Sequence, residues 1–163
     1  MKNKKDVVIV AVLAVIVILG GALISGYNGL VTSREAVESA ESNIDTYLQR
    51  RADLIPNVVS TVKSFAQHET EVFDKVLEAR KSLVNAKTPE EKATADAQLD
   101  TALQGINVIV EAYPELKSDA TYVALMDELE GSENRIAVAR KDYNDAVKDY
   151  NNKVIRFPGS IVA

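Results

Sequence analysis

Two regimes of apolar and polar positions divide this chain. From Val7 to Ile24 every residue is apolar or glycine, with no charge and no Pro, and the only glycines are the pair Gly20-Gly21. A run of about 18 residues meets the lower bound for a helix that crosses a bilayer. Val and Ile dominate it, which matters little in lipid, where a spanning backbone must satisfy its own hydrogen bonds as helix. Beyond it the pattern becomes periodic. Leu30, Val37 and Ile44 recur every seven residues, joined by Ala40 and Leu48, while Arg34, Glu35, Glu38, Asp45 and Arg50 fill the face between. That is the stripe of a bundle helix.

Pro56 interrupts this run, because it lacks a backbone donor and its ring clashes with the preceding turn. Asp53 and Asn57 flank it with turn chemistry. The stripe then resumes as Val58, Val62, Phe65, Val72, Val76, Ala79 and Leu83. The heptad phase nevertheless passes through the proline, since Ile44, Arg51, Val58 and Phe65 stay in register. Pro56 is therefore either a turn or a kink in one long helix.

Next comes a strong helix start. Thr88 can cap, Pro89 suits the first helical position, and Glu91 completes a capping box. Leu99, Leu103, Ile106, Val110 and Tyr113 share one face of the helix that follows. Gly105 within it costs about 1 kcal/mol against Ala, which suits a close helix approach. Pro114 closes this helix, and Ser118 or Asp119 can cap the next. The last helix has the strictest pattern: Tyr122, Leu129, Ile136, Tyr143, Tyr150 and Phe157 are each seven apart, before Pro158 and Gly159 end it.

These elements predict an all-α chain: a transmembrane helix followed by an up-and-down four-helix bundle. The alternative is a long kinked first helix through Pro56 paired with two further helices. The expected segments are a cytoplasmic N-terminus at 1–6, an anchor at 7–26, a bundle at 27–158 and a short tail at 159–163. Both layouts return the C-terminus toward the membrane. Tyr27, Ile161 and Val162 are then expected at the membrane interface, with Tyr27 packed in the bundle base as the other reading.

Charge and composition refine this picture. The chain of 163 residues carries a net charge of −5 and no Cys. A disulfide framework or a thiolate metal site is therefore excluded. Lys2, Lys4 and Lys5 against Asp6 leave +2 ahead of the apolar run, hence −7 beyond it. An acidic domain lacks the clustered cations that phosphate contacts need, so no nucleic-acid partner is expected. The three lysines precede the run and the first basic residue after it is Arg34, which puts the N-terminus in the cytoplasm and the bundle outside. A cleaved signal peptide would need a small-residue exit site. None stands at Leu23-Ile24-Ser25-Gly26-Tyr27, so the anchor is expected to be retained.

At Arg50-Arg51-Ala52-Asp53-Leu54-Ile55-Pro56-Asn57-Val58-Val59 the chain resembles the LemA family. The resemblance continues at His68-Glu69, at Tyr113-Pro114-Glu115-Leu116-Lys117, and from Glu128 through Glu130-Gly131-Ser132-Glu133-Asn134 to Arg140. It ends with Tyr143-Asn144, Tyr150-Asn151 and Phe157-Pro158, and so covers nearly the whole chain. It implies a helical bundle associated with a bacterial membrane, here the inner membrane, and supplies no established enzymatic activity. The sequence departs from the family at Glu41, where members often carry an aromatic, and it stops at Ala163, where many members continue.

Candidate chemistry is sparse. His68 is the only histidine, and beside Glu69 and Glu71 it lacks the further ligands that a catalytic zinc needs. No serine or threonine has a base beside it in the manner of a hydrolase triad. Neither enzymatic activity nor a cofactor or metal is expected. The polar residues at core-phase positions say more: Arg51, Glu69, Glu133 and Arg140. A charge in a seam costs stability unless paired. These residues are expected either to form interhelical ion pairs or to meet a partner and fix register. Tyr143-Asn144 and Tyr150-Asn151 repeat at seven residues. They read as core tyrosines reaching the bundle edge, or as a ladder against another helix. The function expected is a membrane-anchored, non-enzymatic scaffold that assembles with copies of itself in the bilayer. The second expectation is an adaptor that binds a membrane protease or transporter in envelope stress or proteostasis.

Overall fold

The computed structural model describes residues 4–163, with side chains from residue 6 onward. Among the described residues there is no strand, and the chain is all-α as its periodicity predicts. The elements are α1 (Lys4–Phe65), α2 (Thr70–Asn85), α3 (Pro89–Ala112), α4 (Pro114–Lys117), α5 (Ala120–Ile155) and α6 (Gly159–Val162). They form two compact units: Asn43–Ala139, and Met1–Ser42 together with Arg140–Ala163.

The unit Asn43–Ala139 holds the main core. α1 contributes Leu48, Ala52, Ile55, Val58 and Val62; α2 contributes Phe73, Val76, Ala79 and Leu83. α3 adds Leu99, Leu103, Ile106 and Val110, and α5 adds Tyr122, Leu129 and Ile136. These are the stripes visible in the sequence, now facing one another. Burying each large aliphatic side chain is worth about 1.5–3 kcal/mol, and close packing of such stripes is what holds helices that would be marginal alone.

Pro56 does not turn the chain. α1 runs through it, and the chain reverses ten residues later, at Ala66–Glu69. The turn expected at Pro56 in the four-helix layout therefore lies at 66–69, and the long first helix through Pro56 is as the alternative had it, although three further long helices follow it and not two. Two features let the helix absorb the proline. Pro56 lies on the exposed face, where its ring meets solvent. The carbonyl that it deprives of a donor, that of Ala52, accepts instead from Arg80 Nε of α2 at 2.7 Å. At the true break Ala66 N donates to Val62 O, and Glu69 N donates to Ala66 O. Residues 66–69 contain neither Gly nor Pro, so the break carries no local turn signature.

The other boundaries follow the sequence. Glu91 N donates to Thr88 Oγ1 at 3.1 Å, and the Glu91 carboxylate accepts from Thr88 N and Lys87 N. Those two backbone donors hold the Glu91 carboxyl below its ordinary value. Asp119, not Ser118, caps α5, accepting from Tyr122 N at 2.9 Å. A Cβ on Gly105 would lie 2.9 Å from Val72 Cγ1, so the close approach expected there is real.

In the unit Met1–Ser42 with Arg140–Ala163, the apolar part of α1 is bare. Every residue from Val7 to Leu19 is exposed, and this is the one helix among those described that is long and apolar enough to cross a membrane. The end of α5 packs just beyond that stretch. Lys153 Nζ donates to Ser33 Oγ at 2.5 Å and approaches Gly29 O at 3.5 Å. A Cβ on Gly26 would lie 2.6 Å from Pro158 Cγ, so only glycine admits that proline. Gly159 is buried against the Lys153 carbonyl and near Leu30.

Candidate functional site

Two groups of polar residues stand out, one in each unit. In the core of Asn43–Ala139, Arg51 is 2% exposed. Its position in the heptad phase of α1 directs the side chain inward, and its guanidinium reaches α3. Nη1 donates to Asp96 Oδ1 at 2.5 Å and Nη2 donates to Asp100 Oδ1. Glu133 of α5 stands farther off, at 3.9 Å. The two aspartates are one helical turn apart, so both carboxylates fall on the face of α3 toward Arg51. Burial works against the Arg51 cation, but the hydrogen bond and charge of Asp100 and the charge of Asp96 outweigh it. They hold the guanidinium above its ordinary value. Nε of Arg51 and the hydroxyl of the buried Ser132 have no hydrogen-bond partner among the described residues.

Such a group binds helices together; it does not perform acid–base work. An arginine held as a permanent cation cannot deliver a proton at ordinary pH. Its aspartates are already engaged by its donors. His68 is exposed in the 66–69 turn, and among the described residues no three His, Cys, Asp or Glu side chains are grouped to hold a metal.

The expected contact residues divide between these environments. Glu69 is half-buried in the turn, where its carbonyl accepts from Val72 N and Phe73 N. Glu133 is largely exposed despite its core-phase position. Arg140 is half-buried. Tyr143 and Tyr150 are half-buried while Asn144 and Asn151 are exposed, so the tyrosines face the packing side of α5 and the asparagines do not. At the other end, Tyr27 and Ile161 are 56% and 64% exposed, and Val162 is half-buried. Packing of Pro158 on Gly26 brings the C-terminal residues beside the end of the apolar stretch.

Asp96, Asp100 and Arg80 were not singled out by the sequence. For Asp96 a signal existed: it stands three residues before Leu99 and extends the stripe Leu99-Leu103-Ile106 by one turn. A seam arginine and a seam aspartate call for each other. Arg80 had no such signal, because the acceptor it serves is a backbone carbonyl.

The sequence profile of the LemA family matches residues 40–163. The chain belongs to the LemA family. Among curated proteins, this LemA chain is similar to magnetosome proteins MamQ 1 and MamQ 2 of Paramagnetospirillum magneticum. Each is 28% identical over 95% of this chain and 66% of its own length. It is also similar to magnetosome protein MamQ of Magnetospirillum gryphiswaldense, 28% identical over 86% of the chain and 61% of the relative. The LemA chain thus spans just under two thirds of the curated proteins it matches. The matched family region begins within α1 and takes in the Arg51 group, the 66–69 turn and the C-terminal return. The apolar part of α1 lies before it and is long and apolar enough to cross a membrane.

Proposed function

We propose that this LemA protein is a membrane-anchored, non-enzymatic scaffold that self-associates in the bilayer. One observation carries the reading: α1 passes without a break from the bare apolar stretch into the segment that supplies Leu48, Ala52, Ile55, Val58 and Val62 to the core. Anchor and core are one element, and the strongest polar group of the core is spent on internal ion pairs. The magnetosome relatives support the same direction, being named for a cell structure and not for a reaction. Confinement to two dimensions raises the effective concentration of copies. Gly20 and Gly21 leave open space on the apolar stretch, which suits close packing of spans. Lys2, Lys4 and Lys5 favour an inner membrane orientation with the N-terminus in the cytoplasm.

Mass photometry and electron microscopy of the protein extracted from native membranes in mild detergent test this reading. The expected result is particles holding several copies of this chain alone. A single copy bound to a protease or transporter would replace the scaffold with an adaptor.

A further inference from the structure

Within the unit Met1–Ser42 with Arg140–Ala163, the end of α5 and the stretch of α1 after Ile24 enclose a cleft of about 400 Å³. Ser25, Asp149, Asn152, Lys153, Arg156 and Phe157 line it. Lys153 is fixed there by Ser33 Oγ and Gly29 O, which use two of its three donors. Arg156 has no ion-pair or side-chain hydrogen-bond partner among the described residues, and its five donors are open. Two cations face one carboxylate, so the cleft carries an excess of positive charge in an otherwise acidic chain.

The glycines sharpen this. Gly26 must be glycine because Pro158 fills the place of its side chain. Gly29 also lines the cleft, yet a Cβ there would meet nothing within 4 Å. A helix interior disfavours glycine against alanine, and among the described residues nothing fills the space that Gly29 leaves. Its effect is to keep the cleft open. Ser25 immediately follows the apolar run, so under the anchored reading, on which this inference rests, the cleft opens where hydrocarbon meets headgroups. Phe157, in its lining, is 67% exposed.

We propose that this cleft binds the headgroup of an anionic glycerophospholipid. Its phosphodiester accepts hydrogen bonds from Arg156 and the free donor of Lys153, and headgroup hydroxyls donate to Asp149. Charge-assisted bonds from a guanidinium fork suit a phosphate, and a basic pocket at the bilayer surface is a place where such headgroups gather.

The test uses the full chain in a neutral maltoside detergent, titrated with dioctanoyl phosphatidylglycerol and read by native mass spectrometry. Dioctanoyl phosphatidylcholine and inorganic phosphate form the other arms. The expected result is one saturable phosphatidylglycerol adduct per chain, at least tenfold tighter than phosphatidylcholine. Arg156→Gln and Gly29→Leu should each weaken it at least tenfold, with helix content by circular dichroism unchanged. Arg156 makes no side-chain bond among the described residues, so its variant decides the matter if the leucine disturbs folding. Equal retention of phosphatidylglycerol by wild type and Arg156→Gln would overturn the proposal, as would equal binding of phosphatidylcholine. Displacement of the lipid by an equal concentration of inorganic phosphate would make this a free-anion site and overturn it too. Flotation with liposomes separates the two readings: a chain that floats without preferring phosphatidylglycerol loses only the cleft, and a chain that does not float loses the anchor as well.

Discussion

At the scale of single residues, the Arg51 group is where the most stability is at stake. Removing one member of a buried ion pair strands the other, whereas replacing the pair with packed apolar groups is often neutral or better. Arg51→Ala should therefore destabilise the protein by about 3–5 kcal/mol, while the double change Arg51→Met with Asp96→Leu should cost little or stabilise it by about 1–4 kcal/mol. Denaturant melts of the three proteins check this; a double variant as weak as the alanine would mean that the pair is not the source of the cost. The seam position of Arg51 was legible because heptad phase is a property of one helix. Its acceptors were half legible, since Asp96 continues the stripe of α3 but nothing in a linear sequence states which helix it faces. Glu133 has the same core-phase signature and is exposed. The phase of a position fixes the side of a helix, not how deeply that side is covered.

At the scale of elements, the proline and the turn show what local chemistry can decide. Thr88-Pro89-Glu90-Glu91 contains its own answer, because both hydrogen bonds of the capping box lie within these four residues. Pro56 does not. Whether it bends the chain back or is carried by the helix depends on Arg80, twenty-four residues later, reaching the Ala52 carbonyl. The turn at 66–69 was illegible for the complementary reason, having no residue that demands it. This makes a prediction about the pair. Arg80→Ala should leave a part-buried carbonyl unsatisfied and cost about 1–3 kcal/mol. Pro56→Ala returns an amide donor to that carbonyl, so the same Arg80 change should cost at least about 1 kcal/mol less in that background. A double-mutant cycle by urea denaturation reads the difference directly. Additive effects would mean that Arg80 does not replace the bond lost to the proline.

At the scale of the whole molecule, one amino-acid pattern sets the terms. Val7–Ile24 reads from the sequence as an anchor, and in the structure every residue from Val7 to Leu19 is exposed. The sequence also implied that the C-terminus would come home to that anchor. It could not show how, because the contact depends on Gly26 admitting Pro158 and on Lys153 reaching Ser33, pairings more than a hundred residues apart. These contacts hold Pro158 and Gly159 against α1 just beyond the apolar run.

The most direct measurement of this account is the depth of a spin label at Ile161 in the full chain reconstituted in liposomes, from its relative accessibility to oxygen and to a water-soluble nickel chelate. A label at Val12 provides the deep reference. The account predicts a label at Ile161 held at headgroup level, shallower than Val12 and clearly shielded from the chelate. A label at Ile161 as open to the chelate as a free nitroxide in water would contradict it.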